Sequence, residues 1–489
     1  MNAVRFSDVG LRSARGPILL SVMLTTGLAA LDTTVLSTAV PSIVDDLGGF
    51  AQYPWLFSIY VLASAVTVPV YSKLADLVGR KPIMLVGVSI FVLGSTLCAF
   101  AWDMPSLIVF RAIQGIGAGA IQPVAMTILS DIYSLAERAK AQAYTSSMWA
   151  IASVIGPLVG GAFAQFGLWR LVFVINVPLG LTAMIVLWRK YHEGLERKRH
   201  KIDYLGAVLI TGSAGLIILG VLEGGHGWAW LSPLSFLVFG GGVLLGIAFL
   251  LVERRASEPI IPLGLFRSRL ISSGVVMNLA IGMGMGAMGP FIPLYLQIGA
   301  GASEIAAGAA VGAFTLGWPL AVMVSGRIYL RAGFRFLGIL GGGILVAGAV
   351  TAVLLVNWPS VWLVAALAFI LGIGFGWTAM PSLLASQASV DWSQRGTVSG
   401  IIIFCRTIGQ ALGTAILGAV STAIIASHGG GPEDPGAIIA STEGVFIGVV
   451  VIAALILAGA FGLPGRRVTL EQAAASEPVT IETDSIRAL

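Results

Sequence analysis

Long uncharged stretches of hydrophobic residues alternate with short polar connections along almost the whole chain. A helix needs roughly 20 apolar residues to cross about 30 Å of hydrocarbon, and its backbone groups must bond within the segment because lipid offers them no partners. The pattern therefore predicts fourteen transmembrane helices. They lie at about 17–40, 54–73, 82–101, 105–128, 141–164, 170–188, 205–223, 234–252, 271–297, 303–325, 336–356, 361–385, 397–424 and 441–463.

The composition agrees with this class of protein. Of the 489 residues, 57% are hydrophobic and only 10% are charged, which is too few charges to cover a soluble protein of this length. The 63 glycines suit membrane helices, which use small residues to approach one another closely. We therefore expect an all-α polytopic membrane protein.

Lysine and arginine are concentrated in alternate connections. The two tails and the connections between spans 2–3, 4–5, 6–7, 8–9, 10–11 and 12–13 hold 25 of the 28 basic residues. Arg170 lies on the opposite side, and Arg111 and Arg406 lie inside spans. Because basic connections stay in the cytoplasm, we expect a plasma-membrane protein with both termini cytoplasmic. The positive charge is then an orientation signal and a contact for anionic lipid, so we expect no nucleic-acid partner.

Short glycine-rich motifs recur at nearly constant spacing. "GIGAG" (115–119) returns as "GIGFG" (372–376), "IGPLVG" (155–160) returns loosely as "IGQALG" (408–413), and Gly79 aligns with Gly333. The repeat predicts two related six-helix halves separated by spans 7 and 8, a plan common in transporters. The predicted units are an N-terminal tail 1–16, a bundle 17–188, a basic loop 189–204, inserted helices 205–252, a linker 253–270, a bundle 271–464 and a tail 465–489.

Four motifs carry a family resemblance. They are "LDTTVLSTAVPSI" (31–43), "YSKLADLVGRKP" (71–82), "RAIQGIGAG" (111–119) and "GPLVGG" (156–161). In them the sequence resembles the major facilitator superfamily, specifically its 14-span drug:proton antiporter branch, over nearly the whole chain except the two tails. The resemblance implies the major facilitator fold, alternating access between two bundles, and proton-driven export of hydrophobic, often cationic, compounds.

The loop between spans 2 and 3 matches the family's conformational latch in part. The matching residues are Asp76, Gly79, Arg80 and Lys81. Ser72 and Leu77 depart from the family pattern, and Leu330 stands where the second half would carry the acid. A latch that is symmetric between the two halves is therefore not expected.

The span-5 motif predicts a hinge that accompanies antiport in the family. Its residues are Gly156, Pro157, Gly160 and Gly161. Proline removes a backbone donor and kinks a helix, while glycines four residues apart let a second helix approach. From the residues alone, simple close packing explains this motif as well as a hinge does.

Asp32 is the candidate proton carrier, because a carboxylate at this depth is costly unless it is paired, hydrated or neutralised. Burial favours its neutral form and a nearby cation its charged form, so both together allow titration near physiological pH. Asp32 lies about 12 Å from the outer end of span 1 and Arg111 about 9 Å from that of span 4. We therefore predict an Asp32–Arg111 proton-coupling pair. The alternatives are a structural acid and a purely structural or snorkelling arginine.

Polar and aromatic residues inside the spans are candidates for a central substrate cavity. They are Thr33, Gln114, Gln122, Trp149, Asn278, Trp318, Trp377, Arg406 and Gln410. Each aromatic residue could equally belong to the core, and Arg406 could equally bond between helices. Ala368 and Leu371 occupy the repeat positions of Arg111 and Gln114, so the proton machinery is expected in the first half only.

Several kinds of chemistry find no support in the sequence. There is no phosphate-binding Gly-x4-Gly-Lys-Ser/Thr loop, and "GIGAG" lies in a membrane helix with no preceding strand. Two cysteines and four scattered histidines predict neither a disulfide framework nor a metal site. We expect no enzyme activity, no cofactor and no metal, with an ion gradient as the energy source.

The prediction is a monomeric secondary transporter that exchanges small hydrophobic compounds for protons. One alternative is the same fold exporting a dedicated cargo, such as a lipid, a siderophore or a self-made antibiotic. The other is a membrane receptor or scaffold that transports nothing.

Overall fold

The computed structural model describes residues 9–48, 52, 55–193, 203–224, 227–256, 259–358, 360–428 and 434–469. Within these ranges, fourteen helices are long and apolar enough to cross a membrane, which confirms the predicted number of spans. Most of the basic loop and most of both tails lie outside the described residues.

The helices run close to the predicted spans and are numbered here in chain order. They are α1 (Gly16–Leu47), α2 (Trp55–Val78), α3 (Arg80–Ala99), α4 (Met104–Ile132), α5 (Leu135–Gln165), α6 (Leu171–Lys190), α7 (Tyr204–Glu223), α8 (Pro233–Glu253), α9 (Arg269–Leu294), α10 (Glu304–Ala332), α11 (Phe334–Leu354), α12 (Val361–Ala388), α13 (Arg395–Ser427) and α14 (Pro435–Ala460). A π-helical turn, Tyr295–Gly299, extends α9.

Two six-helix bundles form the body of the protein. In the first bundle α3 and α2 pack on α4, and α1 packs on α5. In the second bundle the corresponding pairs are α11 and α10 on α12, and α9 on α13. The sequence repeat therefore corresponds to a repeated helix arrangement.

The bundles meet at one end of the molecule, where α5 packs on α10 and α2 packs on α13. This end, called the basic end below, carries the α2–α3, α4–α5, α10–α11 and α12–α13 connections. Here the Tyr329 hydroxyl donates a 2.5 Å hydrogen bond to the carbonyl of Leu135. Ala139 of α5 lies against Gly326 of α10, where a Cβ would approach it to 2.6 Å.

The inserted helices α7 and α8 pack on each other, and α7 packs on the seam between the bundles. Ser213 of α7 donates a 2.8 Å bond to the carbonyl of Gly242 in α8. Thr211 donates to the carbonyl of Val66 in α2 at 3.3 Å. Ile218 joins an apolar cluster with Phe404 of α13, so the inserted pair covers the α2–α13 contact from outside.

The repeated glycines make equivalent contacts in the two bundles. A Cβ on Gly117 of α4 would lie 2.3 Å from the backbone nitrogen of Phe91 in α3. A Cβ on Gly374 of α12 would lie 2.8 Å from the side chain of Leu345 in α11. These contacts explain why glycine occurs at the same place in both halves.

The α2–α3 and α10–α11 connections also match. Each turns at a single glycine with positive φ, Gly79 at 117° and Gly333 at 93°. Side chains with a Cβ rarely adopt this backbone conformation. The alignment of these two glycines in the sequence therefore reflects the same tight turn in each half.

Gly117→Ala should lower the thermal stability of the purified protein by several degrees. The added methyl group would overlap the α3 backbone, and overpacking of this kind costs about 1–3 kcal/mol. Gly343→Ala in α11 is the matched control, because a Cβ there meets nothing within 4 Å. Since alanine is the better helix former, the control should be neutral or slightly stabilising. Equal melting temperatures for the two variants would contradict this account of the glycine contact.

Candidate functional site

Asp32 lies inside the first bundle with both carboxylate oxygens bonded. Arg111 of α4 donates from Nη1 to Oδ2 at 2.6 Å. Oδ1 accepts from Gln114 Nε2 at 2.7 Å and from Asn176 Nδ2 of α6 at 3.0 Å. Asp32 and Arg111 are each only 1% exposed. Both carboxylate oxygens thus have hydrogen-bond donors, as a buried polar group requires.

The guanidinium of Arg111 is equally well satisfied. Its Nε donates to the carbonyl of Leu56 in α2 at 3.1 Å, and its Nη1 also reaches Gln114 Oε1 at 2.7 Å. The Tyr60 ring lies 4.2 Å from the guanidinium carbon, within range of a cation–π interaction. The pair is therefore an electroneutral unit joining α1, α2 and α4.

Asn176 extends this unit to α3. Its amide nitrogen also bonds the Ser95 hydroxyl at 3.0 Å, and Ser95 donates to the carbonyl of Phe173 at 2.9 Å. We call Asp32, Tyr60, Ser95, Arg111, Gln114 and Asn176 the Asp32 cluster. Every member belongs to the first bundle.

A second polar cluster joins the bundles at the basic end. Asp76 of α2 accepts the backbone N–H groups of Gly396 and Thr397 at 3.0 and 2.6 Å, and the Thr397 hydroxyl at 2.8 Å. These N–H groups lie in the first turn of α13, where the helix itself supplies no carbonyl partner, so Asp76 caps that helix from the opposite bundle. A carboxylate is favoured there by the helix dipole.

Arg80 fixes the orientation of Asp76. Its Nη2 lies 3.1 Å from Asp76 Oδ1, and its Nε lies 3.1 Å from Asp131 Oδ2 of α4. Nη2 also donates to the carbonyl of Trp392 at 2.9 Å, and the guanidinium lies 3.7 Å from the Trp392 ring centre. Arg80 is completely buried by these contacts.

The comparisons with known proteins agree with this arrangement. A family model of the Major Facilitator Superfamily matches residues 22–414. The chain belongs to the Major Facilitator Superfamily. Members of this family are transporters and not enzymes, in agreement with the expectation from the sequence.

Relatives of this superfamily member include proteins named for multidrug resistance, multidrug transport and efflux. It is 33% identical over 410 residues to Multidrug resistance protein 3 of Bacillus subtilis strain 168, covering 83% of this chain and 79% of the relative. It is 32% identical over 422 residues to Multidrug transporter protein MdtP of the same organism, covering 86% and 78%. It is 33% identical over 413 residues to the MFS-type efflux pump LUC4 of a Fusarium species, covering 82% of this chain and 72% of the relative.

The fold also agrees with a solved major facilitator structure. The crystal structure of the human organic anion transporter MFSD10 (TETRAN) matches with a TM-score of 0.64. The match covers 92% of this chain and 99% of that one at 15% identity. At this identity the likeness supports the fold alone.

Three predicted cavity residues form hydrogen bonds between helices of one bundle; Gln114 and Asn278 are fully buried and Trp377 is half-buried. Gln114 is part of the Asp32 cluster. Asn278 is fully buried and donates to the Ser382 hydroxyl at 2.6 Å. Trp377 donates from Nε1 to the carbonyl of Ala321 in α10 at 2.9 Å. These side chains connect helices within one bundle, since a buried polar group needs a bonding partner.

The other predicted cavity residues keep exposed surface. Trp149 is 38% exposed and Gln410 is also exposed. The half-buried ones are Thr33, Gln122, Trp318 and Arg406. Arg406 and Trp318 lie together, with the guanidinium carbon 5.9 Å from the indole ring.

The predicted hinge segment of α5 is helical from residue 156 to residue 161. A Cβ on Gly156 would lie 2.1 Å from Thr34 Oγ1 of α1, whereas one on Gly161 would meet nothing within 4 Å. Thr34 also donates to the carbonyl of Ala152 at 3.0 Å. Gly156 therefore serves close packing of α1 and α5.

Glu193, just after α6, is a contributor to the latch that the sequence did not indicate. Its carboxylate accepts the backbone N–H groups of Arg80 and Lys81 at 2.9 and 3.2 Å, which caps α3. Lys81 in turn donates from Nζ to the carbonyl of Trp188 at 2.7 Å. The only signal was an acid within a basic connection, and nothing in the sequence links it to residue 80.

Asp76→Ala should open the basic end more often, because it removes both the cap of α13 and the ion pair with Arg80. Loss of a helix cap costs about 0.5–2 kcal/mol, so we expect a shift of about tenfold in the ratio of open to closed molecules. Double electron–electron resonance between spin labels at the exposed positions of Arg12 and Arg331 would show the opening as a longer distance between the labels. The labels require a background without Cys98 and Cys405.

Asp434→Ala is the control for this variant. Asp434 caps α14 through the N–H groups of Gly436 and Ala437 and joins no second bundle in doing so. The distance distribution should therefore stay at its wild-type form. An Asp76→Ala distribution identical to wild type would show that the cap does not hold the bundles together.

Proposed function

We propose that the protein is a proton-driven antiporter that exports small hydrophobic compounds by alternating access. The observation that carries the proposal is the fully buried Asp32–Arg111 pair, bonded to two amides and confined to one bundle. The relatives named as multidrug transporters and efflux pumps support export as its direction.

The Asp32 cluster suits a proton carrier because its stability depends on the charge of one carboxylate. A proton on Asp32 would abolish the ion pair and leave Arg111 buried without its counter-charge, which is strongly unfavourable. Arg111 would then turn toward water or toward other acceptors, and the α1–α4 contact would loosen. Loss of the proton would restore the closed unit.

The closed basic end supports a cycle in which the proton enters from the opposite face. With Asp76 capping α13, the described contacts between the bundles lie at the basic end. Protonation of Asp32 would precede opening of this latch, with the α5 segment 156–161 accommodating the tilt. Cargo would then bind from the basic side while the proton leaves on that side.

We further propose that the basic end faces the cytoplasm, with both termini there, in the plasma membrane. The concentration of lysine and arginine at this end supports the orientation. In this arrangement the chain acts as a monomer, its basic loop contacts anionic lipid, and the six-helix units follow the predicted boundaries 17–188 and 271–464.

Asp32→Asn should abolish uphill export while leaving the protein folded in the membrane. Asparagine keeps the size and some hydrogen bonds but carries no proton to exchange. Everted vesicles with an imposed pH gradient and a panel of fluorescent dyes would measure export. We expect a loss of at least about a hundredfold, as for a group whose ionisation drives the cycle.

Asp46→Asn is the matched control. Asp46 is also paired with an arginine, Arg170, at 2.7 Å, but its side chain is 48% exposed. An exposed pair contributes little, so this variant should export normally. Undiminished uphill export by Asp32→Asn would refute proton coupling at this residue. Absence of pH-driven export by the wild type across the panel would favour a dedicated cargo or a non-transporting receptor.

Cysteine labelling in intact cells tests the orientation. In a background without native cysteines, Arg170→Cys should react with a membrane-impermeant maleimide from outside. Arg12→Cys should react only after the cells are permeabilised, because it lies at the basic end. The reverse pattern would place the termini outside the cell.

A further inference from the structure

Arg406 is a cation at mid-membrane depth that no described residue neutralises. It lies eleven residues from the start of α13, which is about 16 Å along the helix. Among the described residues, its recorded electrostatic contact is a cation–π contact with Trp318, whose ring centre lies 5.9 Å from the guanidinium carbon. Among the described residues it forms no ion pair and no side-chain hydrogen bond.

The helices around Arg406 offer no acid that could reach it. The sequences of α9, α11, α12 and α13 contain no aspartate or glutamate, and in α10 the one acid is Glu304 at its first residue. Glu443 of α14 lies near Ile424, since a Cβ on the adjacent Gly444 would contact that side chain. Ile424 is about 27 Å along α13 from Arg406.

The first bundle does not supply a counter-charge either. Asp32 is already neutralised by Arg111, and Asp76 and Asp131 are engaged with Arg80 at the basic end. Protonation of Asp32 would only add to the positive charge. Whether Asp32 is ionised or protonated, the polar groups described inside the two bundles therefore leave an excess of positive charge at Arg406.

We infer that Arg406 selects hydrophobic organic anions as cargo over lipophilic cations. This inference rests on the proposed function, because it takes the surface formed by half-buried Arg406 and Trp318 and by exposed Gln410 as the cargo site. A guanidinium binds carboxylates, sulfonates and phosphates in its plane, while the indole beside it accommodates an aromatic or aliphatic body. A lipophilic cation would add a second positive charge in a site of low dielectric constant. The structure thus points away from the cationic cargo suggested by the sequence resemblance.

Two nearly isosteric ions provide the test. Tetraphenylborate and tetraphenylphosphonium have the same shape and opposite charges. Their affinities for the purified full-length protein in detergent can be measured by titration calorimetry. Comparing variants by the ratio of tetraphenylborate affinity to tetraphenylphosphonium affinity cancels the unequal partitioning of the two ions into micelles.

We expect this ratio of anion to cation affinity to fall at least about tenfold in Arg406→Gln, which corresponds to a modest charge interaction in a partly hydrated site. Arg406→Lys should keep most of the preference.

Arg331→Gln is the matched control, because it removes an exposed arginine at the end of α10 and should leave the ratio unchanged. An unchanged ratio in Arg406→Gln, or loss of the preference in Arg406→Lys equal to that in Arg406→Gln, would overturn the inference. The binding assay uses no pH gradient. A charge preference without proton-driven export would therefore contradict the proposed function alone, and export without the preference would contradict this inference alone.

Discussion

The ion pair between Asp32 and Arg111 is the constraint on which the first bundle depends. Each charge alone would be very costly in a membrane interior, and even a matched pair recovers its desolvation cost only with good geometry and further hydrogen bonds. The bundle meets this requirement with the amides of Gln114 and Asn176 on the carboxylate and the Leu56 carbonyl on the guanidinium. Because these hydrogen-bonding partners come from α2, α4 and α6, a single ion pair connects four helices.

The Asp32 cluster and the latch differ in what they join. All side chains of the Asp32 cluster move with one bundle, so tilting of the bundles need not break it. The latch uses Asp76 of the first bundle and the start of α13 in the second, and any tilt that opens the basic end must break those bonds. A cluster within one bundle can hold a proton while the bundles tilt. A contact between bundles forms only when that end is closed and breaks when it opens. In the proposed cycle the two acids therefore have different functions, although both are buried beside an arginine.

The sequence predicted the number of helices, the two-bundle plan and the proximity of Asp32 to Arg111, because hydrophobic length and depth depend only on position along each helix. It also indicated Asp76 and Arg80 through a family motif. It did not indicate Ser95, Tyr60, Glu193 or Trp392 as partners of these groups. Their contribution depends on helix rotation and on contacts between distant segments, which periodicity in one span does not determine. The same reason explains why Gln114 and Asn278, predicted to line a cavity, are instead satisfied within their bundles.

The two halves retain the same backbone contacts but not the same side-chain chemistry. Gly117 and Gly374 allow equivalent helix approaches, and Gly79 and Gly333 make equivalent turns. By contrast, Ala368 and Leu371 replace the Arg111 and Gln114 positions and line an apolar cavity. A close helix contact stabilises each bundle, so glycine is favoured at this place in both halves. A buried charge is costly wherever it occurs, and proton coupling needs only one. The second half therefore needs no such pair. If the two proposals above hold, proton exchange at Asp32 and cargo binding at Arg406 take place in different bundles.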